Sequence, residues 1–233
     1  HAVLGLIKFQ YQWGWEVAER EYKRAIELDP NYPTAHHWYS EILEREGRLE
    51  EALSECKRAQ ELDPLSPMIT VQVGKLLFYM QHYDLALEQF NKVLELDQNF
   101  PYVHVFLGLM YAQQNKFDEA ISELQKARQI VGTDDPFGIG YLGYGYARAG
   151  KKNEAIKVID ELFEFSKKGY TLSVQIAYVY AGLGDKDKAF EWLEKGYIEQ
   201  NHQLGFLKAS PIWNNLRSDS RYTAMLKKIG LEK

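Results

Sequence analysis

The chain has 233 residues, 45% of them hydrophobic, a formal net charge of −5 and one cysteine, Cys56. The negative charge argues against a nucleic-acid backbone as main partner. The lone cysteine excludes an internal disulfide framework and suits a reducing compartment, and no apolar run is long enough to span a bilayer, so the expected location is cytoplasmic, away from membranes.

Near the N-terminus, Val3, Leu4, Ile7, Phe9 and Tyr11 form an apolar set with no preceding helix to cover it. Repeat arrays end in polar faces. We therefore expect a chain cut from a longer protein, with Val3, Leu4 and Ile7 seeking cover by homo-association. A regular helix is expected from about Trp15 to Leu28.

From there the sequence is periodic. Ala18, Ala52, Ala86, Ala120, Ala155 and Ala189 recur every 34 residues, with one step of 35. A fixed period of this length is the signature of a repeat architecture. Pro33, Pro67, Pro101 and Pro136 open successive units, because proline suits the first turn of a helix. Pro30 and Pro64 close the first two. Gly47, Gln81, Asn115, Gly150 and Gly184 fill a mid-unit turn that needs tolerance of positive φ, and Gln81 is the least natural of them. Ala52, Cys56 and Ala59 form the apolar stripe of a second helix, which marks Cys56 as a buried thiol rather than a nucleophile.

The link Ile130 to Pro136 carries the extra residue. Gly132 is read as a helix stop and Asp134 or Asp135 as the next cap. The helix that follows holds Gly138, Gly140, Gly143 and Gly145, which points to close helix contact or to a bendable point. After Glu199 the pattern changes. Residues 202–209 read as helical, Pro211 as a break, Ile212, Trp213 and Leu216 as an apolar plug over the sixth unit, and Asp219 to Gly230 as a final helix.

The unit resembles the tetratricopeptide repeat. The second unit carries the resemblance with Tyr39, Ser40, Leu43, Gly47, Ala52, Ala59 and Pro64, the fourth with Leu107, Gly108, Tyr111, Phe117, Ala120, Leu124 and Ala127, and the sixth with Ile176, Ala177, Tyr180, Gly184, Ala189 and Leu193. His36, Thr70 and His104 depart from it, standing where the family often has tryptophan, and Gln98 replaces a closing proline. The resemblance implies an all-α fold: a right-handed α-solenoid of antiparallel helix pairs, with six repeats over residues 1–199, the first truncated, and capping helices over 200–233. The order LKASPIWNNLRSDSRYTAMLKKIGL resembles the close of such regions in bacterial winged-helix regulators, kinases and cyclases, which implies an effector domain upstream.

No catalytic constellation is present: no phosphate-binding loop, no HExxH, no GxSxG and no cysteine pair. His36 and His37 are helix neighbours that point to different faces and make a poor metal pair. No enzyme activity, cofactor or metal is expected.

The resemblance directs attention to the first helix of each unit, whose residues line a concave groove. Carried over position by position, it offers Lys75, Phe78, Tyr79, Tyr102, Leu109, Phe137, Tyr144, Arg148 and Tyr178, with Phe106 and Tyr141 at the edge, as a groove for a protein or peptide segment. Bare aromatic surface on this scale argues for use in binding, and tyrosine pairs apolar area with a polar tip. The chaperone-tail clamp of the family is absent, since Glu41, Lys75 and Leu109 stand at its positions. The alternative is a small-ligand sensor regulating the upstream domain; a closed aromatic pocket would favour it, an open trough the peptide.

Overall fold

The structure is a computed structural model that describes residues 14–232. The apolar set at Val3, Leu4 and Ile7, and its expected association, lie outside the described residues.

Among the described residues, twelve α-helices follow one another and there is no strand. They are α1 (Trp15–Leu28), α2 (Pro33–Arg45), α3 (Leu49–Leu62), α4 (Pro67–Tyr79), α5 (Tyr83–Leu96), α6 (Pro101–Gln113), α7 (Phe117–Val131), α8 (Ile139–Arg148), α9 (Lys152–Lys167), α10 (Ser173–Leu183), α11 (Lys186–Ile198) and α12 (Ser220–Lys228). Two 3-10 turns, His202–Phe206 and Pro211–Trp213, precede α12. From α2 to α11 they pair as an α-solenoid of antiparallel helix pairs. The helices divide into two compact units. The first takes in the described chain up to Leu96, with Gly205–Ala209 and the chain from Leu226; the second takes in Asp97–Leu204 and Ser210–Met225.

Each repeat column has its physical counterpart. The six alanines of the 34-residue period are fully buried. A larger side chain there would push paired helices apart. Pro33, Pro67 and Pro101 stand in the first turns of α2, α4 and α6, where a missing N–H leaves no bond unmade. First helices are buried almost all round: every residue of α4 from Ile69 to Phe78 is buried. Second helices bury one stripe, as α3 does with Ala52, Cys56 and Ala59.

The turn column is left-handed throughout, with φ of +77° at Gly47, +64° at Gln81, +60° at Asn115, +73° at Gly150 and +77° at Gly184. A residue with a Cβ pays roughly 1–2 kcal/mol there. Gln81→Gly removes that strain, partly offset by the greater freedom of glycine in the unfolded chain. A net gain of about 0.5–1 kcal/mol is expected, read as a raised urea midpoint at unchanged slope.

Pro136 does not open a helix. α8 starts at Ile139, after Gly138 at φ +80°, and Asp135 accepts from the Phe137 amide (2.8 Å) without capping α8. The extra residue of this link is taken up in that turn. Gly132 ends α7 at φ +90° as expected. Arg128 donates to the carbonyls of Gly132, Thr133 (3.0 Å) and Asp135 (2.5 Å) and pairs with Glu161 at 2.8 Å, tying the link to its neighbours. Of the two readings of the glycine-rich helix, close contact accounts for Gly143: a Cβ there would stand 2.5 Å from Val179 and 2.7 Å from Val158.

Candidate functional site

The expected groove residues do not form a bare surface. Lys75, Phe78, Leu109, Tyr144 and Tyr178 are buried. Tyr79, Phe106, Phe137, Tyr141 and Arg148 are half-buried, and Tyr102 is exposed at 39%. For Lys75 and Tyr178 the cover comes from the non-repeating tail, which lies over them. Of residues 202–209, expected to be helical, His202–Phe206 form a 3-10 helix and the rest leave it as a turn.

In the first unit, Phe206 lies over the Arg45 guanidinium (4.0 Å) and the Lys75 ammonium (5.1 Å). Flat aromatic faces attract cations. Lys75, expected at a rim to hold an incoming carboxylate, is instead paired at 2.8 Å with Glu44 of the preceding repeat, which is fully buried and also accepts from Gln72 at 2.7 Å. The indole N–H of Trp15 donates to Ile229 O at 2.6 Å, and Lys208 to Leu231 O at 3.0 Å.

In the second unit, Tyr141 stacks on Tyr178 at 5.1 Å, and Trp213 covers Tyr178 at 5.0 Å. Asn215 donates to Ala181 O at 2.8 Å, and Gln113 reaches Pro211 O at 3.5 Å. The expected plug is present, and it sits on Tyr178 and Ala181 of α10. The Tyr144 hydroxyl accepts from Gln113 (3.0 Å) and Arg148 (2.9 Å); burial pushes its phenol up, against the lowering effect of those two partners.

What stays open lies at the edge where α6 and α8 begin. Phe100 and Tyr102 are 6.0 Å apart, and Tyr102 and Phe137 4.7 Å, forming one run of rings. Phe100 was not among the expected residues. Its signal was its place directly before Pro101, the position that Tyr32 and Ser66 hold before Pro33 and Pro67.

The two histidines that depart from the tryptophan column share one role. His36 faces Glu55 through Nδ1 (2.6 Å) and Pro30 O through Nε2 (3.0 Å). His104 repeats this with Glu123 (2.7 Å) and Gln98 O (3.0 Å), 68 residues on. In each, both ring nitrogens face acceptors, and for His104 the doubly protonated ring satisfies both. The Glu123 hydrogen bond holds His104 above its ordinary value, although burial opposes it. A raised folded pKa means the contribution is full below the ordinary histidine value near pH 6.5 and is lost as pH rises through the folded value. Urea midpoints of the wild type should therefore fall above about pH 6.5, and His104→Gln should flatten that limb.

The remaining candidate chemistry stays structural. Burial pushes the Cys56 thiol up to about 12, far from a reactive thiolate. His37 points toward Glu41 (3.8 Å), away from the His36 partners. Among the described residues no group of three or more His, Cys, Asp or Glu is placed to hold a metal ion, and no helix is long and apolar enough to cross a membrane.

Paired helices in a 34-residue period with a left-handed mid-unit turn define a helical-repeat protein, and the chain belongs to the tetratricopeptide repeat family. Family profiles for this repeat match residues 9–67, 73–135 and 170–197. No curated protein sequence matches the chain. Among solved structures, it is similar to PilW, described as a widely conserved type IV pilus biogenesis factor, at 16% identity over 97% of this chain and 96% of that one, TM-score 0.63. It is similar to pilF of Pseudomonas aeruginosa at 19% identity over 88% and 92%, TM-score 0.58. MamA of Desulfovibrio magneticus RS-1 aligns at 20% identity over 68% and 89%, TM-score 0.52. These likenesses concern the fold.

Proposed function

We propose that this chain is a non-catalytic protein-interaction scaffold, and that its partner meets the aromatic edge of α6 and α8 rather than the tyrosines beneath the tail. The family supports the scaffold: repeat arrays offer extended concave surfaces and bind through them. The observation that carries the site is the run Phe100, Tyr102 and Phe137, with Tyr102 at 39% exposure while Tyr144 and Tyr178 are almost fully covered. An incoming side chain can reach Tyr102 without moving the tail. To reach Tyr178 it must first displace Trp213.

A proximity test addresses this directly. A photo-crosslinking residue placed at Tyr102, Tyr178 or, as a convex-face control, Glu154 is exposed to the lysate in which the full chain is expressed. Crosslinks to a discrete protein from position 102, and far fewer from 178 and 154, are expected. Crosslinks from 178 or 154 that exceed those from 102 would reject the edge as the site.

A further inference from the structure

We propose that the edge formed by Phe100, Tyr102 and Phe137 takes a cationic segment, a stretch of chain bearing arginine or lysine side chains; this rests on the edge being the interaction site. The argument is charge complementarity around an exposed aromatic surface. Each end of the ring run is built into a turn that carries an aspartate. Asp97 Oδ1 accepts from the Asn99 amide at 2.9 Å in the turn that delivers Phe100. Asp135 Oδ1 accepts from the Phe137 amide at 2.8 Å in the turn that delivers Phe137, with Asp134 beside it. All three aspartates are exposed. An Asx turn uses one oxygen of a carboxylate and leaves the charge in place.

Arg128 is the cation held against this link, and the carboxylate of Glu161 offsets its charge. Its guanidinium is held by three loop carbonyls and by Glu161, and its side chain is 13% exposed. The edge is thus acidic around aromatic faces. Aromatic faces attract guanidinium and ammonium groups, and the alkyl stems of those side chains pack on the rings. An acidic segment would meet three like charges instead. A purely apolar one would gain nothing from the carboxylates.

The same device recurs in the first unit. Asp29 Oδ1 accepts from the Asn31 amide at 3.1 Å and is followed by Tyr32, 40% exposed, 68 residues before the Asp97, Asn99 and Phe100 set. An aspartate-turned aromatic is therefore a repeated construction of this chain.

The experiment uses the full chain and three labelled eight-residue peptides that alternate glycine with arginine, glutamate or leucine, followed by fluorescence anisotropy. The arginine peptide is expected to bind at least tenfold tighter than the other two at low salt and to weaken as salt rises. The triple variant Asp97→Asn, Asp134→Asn, Asp135→Asn keeps the turn acceptors and removes the charge; it should lose about tenfold for the arginine peptide. A control triple, Glu154→Gln, Glu164→Gln, Glu191→Gln, changes net charge equally on the second helices and should lose less than twofold. Tyr102→Ala with Phe137→Ala should weaken the same peptide while the far-ultraviolet dichroism stays unchanged. Equal loss in the two triples, or no preference for arginine, overturns the proposal. If the leucine peptide binds best and still depends on Tyr102 and Phe137, the edge stands and its cation preference falls. If no peptide responds to Tyr102 and Phe137, both fall.

Discussion

Trp213→Ala is expected to lower stability by about 3–5 kcal/mol, the range for emptying a fully buried large aromatic site. Trp213 is 1% exposed and lies 5.0 Å from the Tyr178 ring, so truncation both removes apolar burial and uncovers a stacked tyrosine pair. Trp213→Phe should cost much less. It keeps a ring against Tyr178 and deletes an indole N–H that finds no acceptor among the described residues. Chemical denaturation of both variants tests this. Equal losses would mean that the indole outline, rather than ring-on-ring packing, is what the site requires. The alanine variant should also open Tyr178, read as faster chemical modification of tyrosine at that position.

Lys75→Met should be comparably costly, about 3–5 kcal/mol, for an electrostatic reason. It leaves the Glu44 carboxylate fully buried with Gln72 as a neutral partner, and one of its oxygens already lacks a hydrogen bond among the described residues. Truncating one member of a buried pair strands the other charge. Adding Glu44→Gln to Lys75→Met should recover much of the loss, because the stranded charge is then gone. If the double variant is no better than the single one, the contact of Lys75 with the Phe206 ring (5.1 Å) is the larger contribution.

The helices, turns and alanine column were legible in the sequence because each follows from a period. Left-handed φ at Gln81 and Asn115 was predictable although neither is glycine, since the column demands it. The covering of the expected groove residues was not legible. Over Lys75 and Tyr178 it is made by Phe206 and Trp213, which belong to no repeat and lie far away in sequence. Local pattern carries no signal for such a contact. The start of α8 was misplaced for a related reason: Pro136 matched the column, but the extra residue before it went into a turn closed by Asp135 and Gly138. His36 and His104 were visible only as departures from a tryptophan column. Their shared role needed a second column, Glu55 and Glu123, that keeps the same 68-residue spacing.

The hydrogen bond between Trp15 and Ile229 spans 214 residues. A repeat array ordinarily lets each helix pair close on the one just made, so folding can follow the ribosome from the first repeat onward. Here the first described helix waits for a residue made 214 positions later. Until Phe206 and Ile229 have left the exit tunnel, Arg45 and Lys75 lack the ring that lies over them and the Trp15 indole lacks the carbonyl it donates to, so a helix made early is completed late.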